Sequence, residues 1–174
     1  MNKESKTTIE NEELMESRLE QILNDALIKA TDTYSVPPQI IWVDNSTIAT
    51  LGNFSASTGK AKAKKTFNVS ALVAASLSNG TVLNYRACLP EGKRRILYVD
   101  TEQSRYHCHN VLARILKLAG LPTDMDNQNL DFIGLREYTP AIRMEVIDYA
   151  LAHNYGYGLV IIDGIRDLLL DINN

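Results

Sequence analysis

The sequence has little of what marks several functional classes. Among 174 residues there are only two cysteines, Cys88 and Cys108, too few for a disulfide framework and wrongly spaced for a metal site. No apolar run approaches the roughly 20 residues that span a bilayer. The opening segment MNKESKTTIENEEL lacks the apolar stretch of a secretory signal. No internal repeat or low-complexity tract is visible. These absences predict a cytoplasmic protein without a membrane partner. Excess charge of one sign is also lacking. A formal net charge of −3 excludes a polycation that coats nucleic acid.

What is present is ordinary for a globular chain: 45% apolar and 22% charged residues, enough to bury one core. The charge is unevenly placed. Glutamates crowd residues 1–25, while Lys60, Lys62, Lys64 and Lys65 gather in one loop, which points to a local anion site.

Residues 1–8 read as disordered. Leu14, Leu19, Ile22, Leu23, Ala26, Leu27 and Ala30 then recur at helical spacing, and the stripe is expected to dock on its own domain, with a partner as the alternative. The polar stretch from Asp32 to Pro37-Pro38 breaks that helix. The expected organisation is therefore an acidic helix and linker over 1–36, followed by a nucleotide-binding domain over 37–174.

Beyond the linker the period changes. Residues 40–43 and 47–58 suit strands, rich as they are in β-branched, aromatic and small side chains. An apolar helix begins after GKAKAKKTF and closes at Asn79-Gly80, with an irregular stretch over 81–93. ILYVD (96–100) reads as a buried strand, followed by a helix that Ser104 caps and Gly120 ends. LDFIGL (130–135) reads as a strand, Thr139-Pro140 starts a helix, and LVIID (159–163) is a continuous apolar strand. Strands that alternate with helices and are apolar throughout indicate α/β, a mostly parallel sheet with helices on both faces.

The basic loop matches the phosphate-loop pattern G-x-x-x-x-G-K-[ST] in two registers. With Gly59-Lys60 as the Gly-Lys pair, the first glycine falls on Phe54 and the hydroxyl on Ala61. Reading Gly59, Lys60, Ala61, Lys62, Ala63, Lys64, Lys65 and Thr66 keeps the first glycine, the lysine and the threonine, and loses only the second glycine, to Lys64. This register also sets Lys65-Thr66 at the helix N-terminus, where N–H groups and the helix dipole face an anion. By itself the loop reads equally well as a lysine-rich surface turn. A Mg-nucleotide site also needs carboxylates at neighbouring strand ends, and Asp100, Glu102 and Asp163 stand at such ends.

In this order of parts the chain resembles the RecA-like P-loop ATPases, in the branch of RepA-type hexameric helicases, KaiC-like proteins and AAA-type domains of mobile elements. The loop is similar to one in ATP-binding proteins of bacterial mobilisable and conjugative elements. The resemblance covers roughly residues 37–172. It implies ATP and Mg²⁺ as cofactors, Lys65 and Thr66 on the phosphates and metal, and Asp163 as the Walker B metal ligand. It makes Glu102 the catalytic base, DNA a partner, and a homo-oligomer, possibly a hexamer, the assembly. RecA-like cores continue past the Walker B strand, so the chain, ending 11 residues after Asp163, is expected to lack C-terminal strands and to turn over little ATP alone. Two alternatives stay open: a ParA-like partition ATPase, with Lys60 as its signature lysine, and a non-catalytic scaffold with a degenerate loop.

Other features carry less. His107-Cys108-His109 on a helix point about 100° apart and do not converge on one ion. Tyr149, Tyr155 and Tyr157 are expected to cover a sheet edge and helix end. Arg166 reads either as a phosphate or subunit contact or as a solvated arginine.

Overall fold

A computed structural model describes residues 3–59, 64–153 and 156–169. The chain divides into two compact units, Met1–Val36 and Pro37–Asn174.

The first unit is one helix, α1 (Lys3–Ala26). It starts inside the segment expected to be disordered, where Lys and Glu are good helix formers, and stops short of Ala30. The stop has a local cause: Asp32 Oδ2 accepts the Lys29 N–H at 2.8 Å and the Tyr34 hydroxyl at 3.0 Å, a side-chain turn that competes with helix.

In the second unit, β1 (Gln39–Val43) and β2 (Ser46–Thr50) form an antiparallel hairpin. Next come α2 (Lys65–Ser78) and the short strands β3 (Thr81–Val82) and β4 (Tyr85–Ala87). The remainder is β5 (Arg95–Asp100), α3 (Arg105–Leu118), β6 (Leu130–Gly134), α4 (Pro140–His153), β7 (Tyr157–Asp163) and a 3-10 turn, Ile165–Leu168.

The strands fall into two sheets. One is antiparallel, in the order β2-β1-β4-β3; the other is parallel, in the order β6-β5-β7. Strand β5 is central and buried, and its alternation sorts two cores. Ile96 and Tyr98 pack with Val73, Ala74 and Ala75 of α2 and with Val111 and Ile115 of α3. Leu97 and Val99 face the other way, against Leu135 just after β6 and Ile147 of α4. The parallel sheet thus has helices on both faces, and the class is α/β.

The structure differs from the sequence reading in two places. The segment 81–93 is not wholly irregular, because β3 and β4 pair as a hairpin and β4 joins β1. The strand expected over 47–58 ends at Thr50. There Asn53 donates its side-chain amide to Thr50 Oγ1 at 2.6 Å, Ser55 Oγ donates to the Ile48 carbonyl at 2.6 Å, and Gly52 takes φ 79°. Turn chemistry overrides strand propensity there. No strand therefore leads directly into Gly59, and β2 lies in the antiparallel sheet.

Among the described residues no helix is long and apolar enough to cross a membrane.

Candidate functional site at the strand ends and the start of α2

The site begins with a backbone conformation. Lys64, which stands where the phosphate-loop pattern has its second glycine, is the N-cap of α2 with φ 56° and ψ 28°. This is the left-handed region that normally favours glycine. Lys64 adopts it despite its Cβ, and its carbonyl accepts the Phe67 and Asn68 N–H groups at 3.0 and 3.2 Å. The cap makes no side-chain hydrogen bond and the first turn holds no acidic residue. The positive end of the helix is thus not answered from within. Lys64 and Lys65 are exposed there and Thr66 is half-buried. Gly59 is exposed, while Lys60, Ala61, Lys62 and Ala63 lie outside the described residues.

Thr66 reaches across the fold. Its hydroxyl donates to Asp163 Oδ2 at 3.4 Å, a contact between residues 97 apart in sequence. The same oxygen accepts the Tyr98 hydroxyl at 3.2 Å. Tyr98 is fully buried on β5, and its ring stacks on Phe132 at 4.4 Å between centroids. Burial first, then the charges of Asp163 and Asp100, push the phenol well above its usual range. It therefore remains a donor and fixes the carboxylate that Thr66 meets.

The second carboxylate group lies at the end of β5. Asp100 is wholly buried, and its backbone and side chain serve the turn. Oδ1 accepts the Glu102 and Gln103 N–H groups at 3.0 and 2.8 Å, and Oδ2 accepts the Gln103 side-chain amide at 2.6 Å. A buried carboxylate persists only when so satisfied. Asp100 is spent on shaping the turn, which leaves Glu102 exposed as the outward-facing acid.

Glu102 lies beside the end of β7. A Cβ placed on Gly164 would come within 2.7 Å of Glu102 Cγ and 3.3 Å of Cδ, and Gly164 itself has φ 97°. Only glycine fits between Asp163 and Glu102. The structure thus brings Thr66 and Asp163 into hydrogen-bond contact, with Glu102 packed on the residue that follows Asp163. No group of three or more His, Cys, Asp or Glu that could hold a metal occurs among the described residues. Magnesium fits this sparse set, because it takes one or two protein oxygens together with phosphate and water.

Sequence reasoning missed two residues that hold the site together. Thr101 is buried; its N–H donates to the Asp163 carbonyl at 3.1 Å, and its hydroxyl lies 2.8 Å from the Gly164 carbonyl. Nothing in the sequence distinguished this threonine from any other. Arg143 of α4 donates from Nε to the Leu135 carbonyl (2.9 Å), from one terminal nitrogen to the Asp167 carbonyl (2.9 Å) and from the other to the Arg136 carbonyl (2.8 Å). It ties the end of β6 to the turn after β7. Its signal was readable: an arginine four residues before Ile147, on the apolar stripe of α4.

Compared with known proteins, the chain matches no family model, no curated protein and no solved structure.

The features set aside earlier are placed as follows. Cys108 is buried while His107 and His109 are exposed; burial and the nearby Asp100 push the Cys108 thiol up to about 11. Tyr157 donates its hydroxyl to Asp131. Tyr149 is exposed and stacks on His153 at 4.0 Å, and Tyr155 lies outside the described residues.

Proposed function

We propose that this chain is an ATP-binding domain of RecA-like, P-loop type, belonging to a cytoplasmic motor that acts on DNA in replication or mobilisation of a genetic element and works as a homo-oligomer. One observation carries the reading: the Thr66 hydroxyl at the start of α2 meets the Asp163 carboxylate at the end of β7. A hydroxyl at a bare helix N-terminus beside a strand-end acid is the arrangement a Mg-nucleotide requires. The left-handed Lys64 supports it further, since the loop can take its turn without the second glycine, which weakens the scaffold alternative.

In this reading the N–H groups at the start of α2 and the Lys65 ammonium hold the phosphate oxygens. Thr66 and Asp163 would hold Mg²⁺, which would supply charge neutralisation for the phosphates. Tyr98 keeps the Asp163 carboxylate oriented. Glu102 accepts a proton from the attacking water as the water oxygen bonds the γ-phosphorus and the bond to ADP breaks. Asp100, through its bonds to the Glu102 and Gln103 N–H groups, presents Glu102 to that water.

The test separates binding from turnover. Lys65→Ala is expected to lower Mg-ATP affinity at least about tenfold, the loss of a charge-assisted phosphate contact. Glu102→Gln is expected to bind normally and hydrolyse at least about a hundredfold more slowly. Calorimetry with Mg-ATP and phosphate-release kinetics, with and without DNA, measure both. Wild-type protein that takes up no ATP under either condition sinks the reading.

A further inference from the structure

The carboxyl ends of β5, β6 and β7 border an open cleft of about 590 Å³, lined by Thr101, Glu102, Arg136, Arg143, Arg166 and Asp167 among others. Its three arginines are not equivalent. Arg143 gives all its guanidinium nitrogens to carbonyls and lies 4.0 Å from the Asp167 carboxylate. Its charge is answered within the protein, and it acts as a brace. Arg136 and Arg166 are exposed, and among the described residues neither guanidinium has a hydrogen bond or ion pair. Glu102 lines the same cleft yet pairs with neither.

Their backbones, in contrast, are fixed. The Arg136 carbonyl accepts from Arg143 at 2.8 Å, and the Arg166 carbonyl accepts the Leu169 N–H at 3.1 Å. Two guanidinium groups are thus mounted on braced turns around one cleft, opposed by Glu102, while the second lining carboxylate, Asp167, is set against Arg143. The surplus is one positive charge, at the strand ends where open parallel sheets bind ligands.

We infer that this cleft, which shares Glu102 with the site above but is lined by no residue of α2, is a phosphate-binding site in which Arg136 and Arg166 hold one phosphate group. The chemistry selects phosphate over carboxylate. A guanidinium donates as a two-pronged fork, and a tetrahedral phosphate offers enough oxygens for two forks, whereas a carboxylate's two oxygens serve one. The phosphate is either a free ion or a phosphodiester of a nucleic-acid strand. Glu102 lowers the affinity by repulsion, and an anion seated there in turn acts on the Glu102 carboxylate.

The experiment titrates the chain with two probes, sodium phosphate and a short labelled oligothymidylate. Arginine side-chain N–H signals in NMR follow the first, and fluorescence anisotropy follows the second. Wild type and Lys65→Ala are expected to show the same phosphate dependence of the Arg136 and Arg166 side-chain signals, because no residue lining the cleft belongs to α2. The double variant Arg136→Ala/Arg166→Ala is expected to lose at least about tenfold in affinity, with an unchanged circular dichroism spectrum. Glu102→Gln is expected to bind about two- to fivefold more tightly as the repulsion is removed. Binding of phosphate alone identifies a free-ion site, and much tighter oligothymidylate binding identifies a phosphodiester site; either upholds the inference. Binding of neither probe, equal binding by the double variant, or loss of the Arg136 and Arg166 signal shifts in Lys65→Ala overturns it. All three outcomes can be read whether or not the chain binds ATP.

Discussion

At the carboxyl ends of β5 and β7, side chains and backbone are tied to one another from several directions. Asp100 holds the turn that carries Glu102, Thr101 joins β5 to the Asp163 and Gly164 carbonyls, and Arg143 braces the turns after β6 and β7. At the start of α2 the arrangement is sparse. Lys64 and Lys65 are exposed, the cap has no side-chain bond, and one hydroxyl, that of Thr66, reaches the other half. The acids are therefore held by ties within the protein, whereas the described basic residues at the start of α2 have few such ties. Such a division suits a site whose acids must be aimed and whose cations need only be near.

The strand half should accordingly be intolerant of change. Gly164→Ala is the sharpest probe, because the new methyl would meet Glu102 and Thr101 at a positive φ. A loss of about 2–3 kcal/mol is expected from strain and the displaced Thr101 contact, read as a lowered midpoint in urea unfolding. If Gly164→Ala unfolds with wild type, the strand ends are not over-determined and the contrast between the halves collapses.

Tyr98→Phe tests the junction of the halves. It deletes one hydroxyl and leaves the ring stacked on Phe132. Asp163 keeps its contact with Thr66, so the expected loss is about 1 kcal/mol, that of one hydrogen bond to a charged acceptor partly offset by water. The functional readout is more specific. With Asp163 held less firmly, the Mg²⁺ needed for half-maximal nucleotide binding should rise, while metal-free binding stays constant. Equal losses in both would mean that Tyr98 serves packing alone.

How much of this was legible in the sequence follows from the range of each interaction. The helices and the parallel strands declare themselves by local period, and ILYVD and LVIID are apolar because both faces of the sheet are covered. Residues 47–58 misled because β-branched propensity is local, whereas the Asn53 and Ser55 side-chain bonds that end β2 depend on where the chain turns. At the site, Asp163 and Glu102 were readable from strand-end position. Thr101 was not, since its worth comes from carbonyls more than 60 residues away in sequence. Lys64 is intermediate: the pattern marked it as a departure from glycine, and only the structure shows that it takes a left-handed φ of 56°.

That conformation gives the smallest predicted effect and the most direct probe of the sparse half. Lys64→Gly restores the residue that the left-handed N-cap favours. The native conformation is already adopted at φ 56°, so the change removes Cβ strain but adds freedom to the unfolded chain. The two terms oppose, and the net gain expected is about 0.5 kcal/mol. Unfolding midpoints are precise enough to detect it in matched samples. Loss of the lysine also removes one cation near the start of α2, so affinity for Mg-ATP should fall no more than about threefold, far less than in Lys65→Ala. A marked destabilisation in Lys64→Gly would mean that the Lys64 side chain, and not its backbone, holds the start of α2. The two halves would then be alike in relying on side-chain ties.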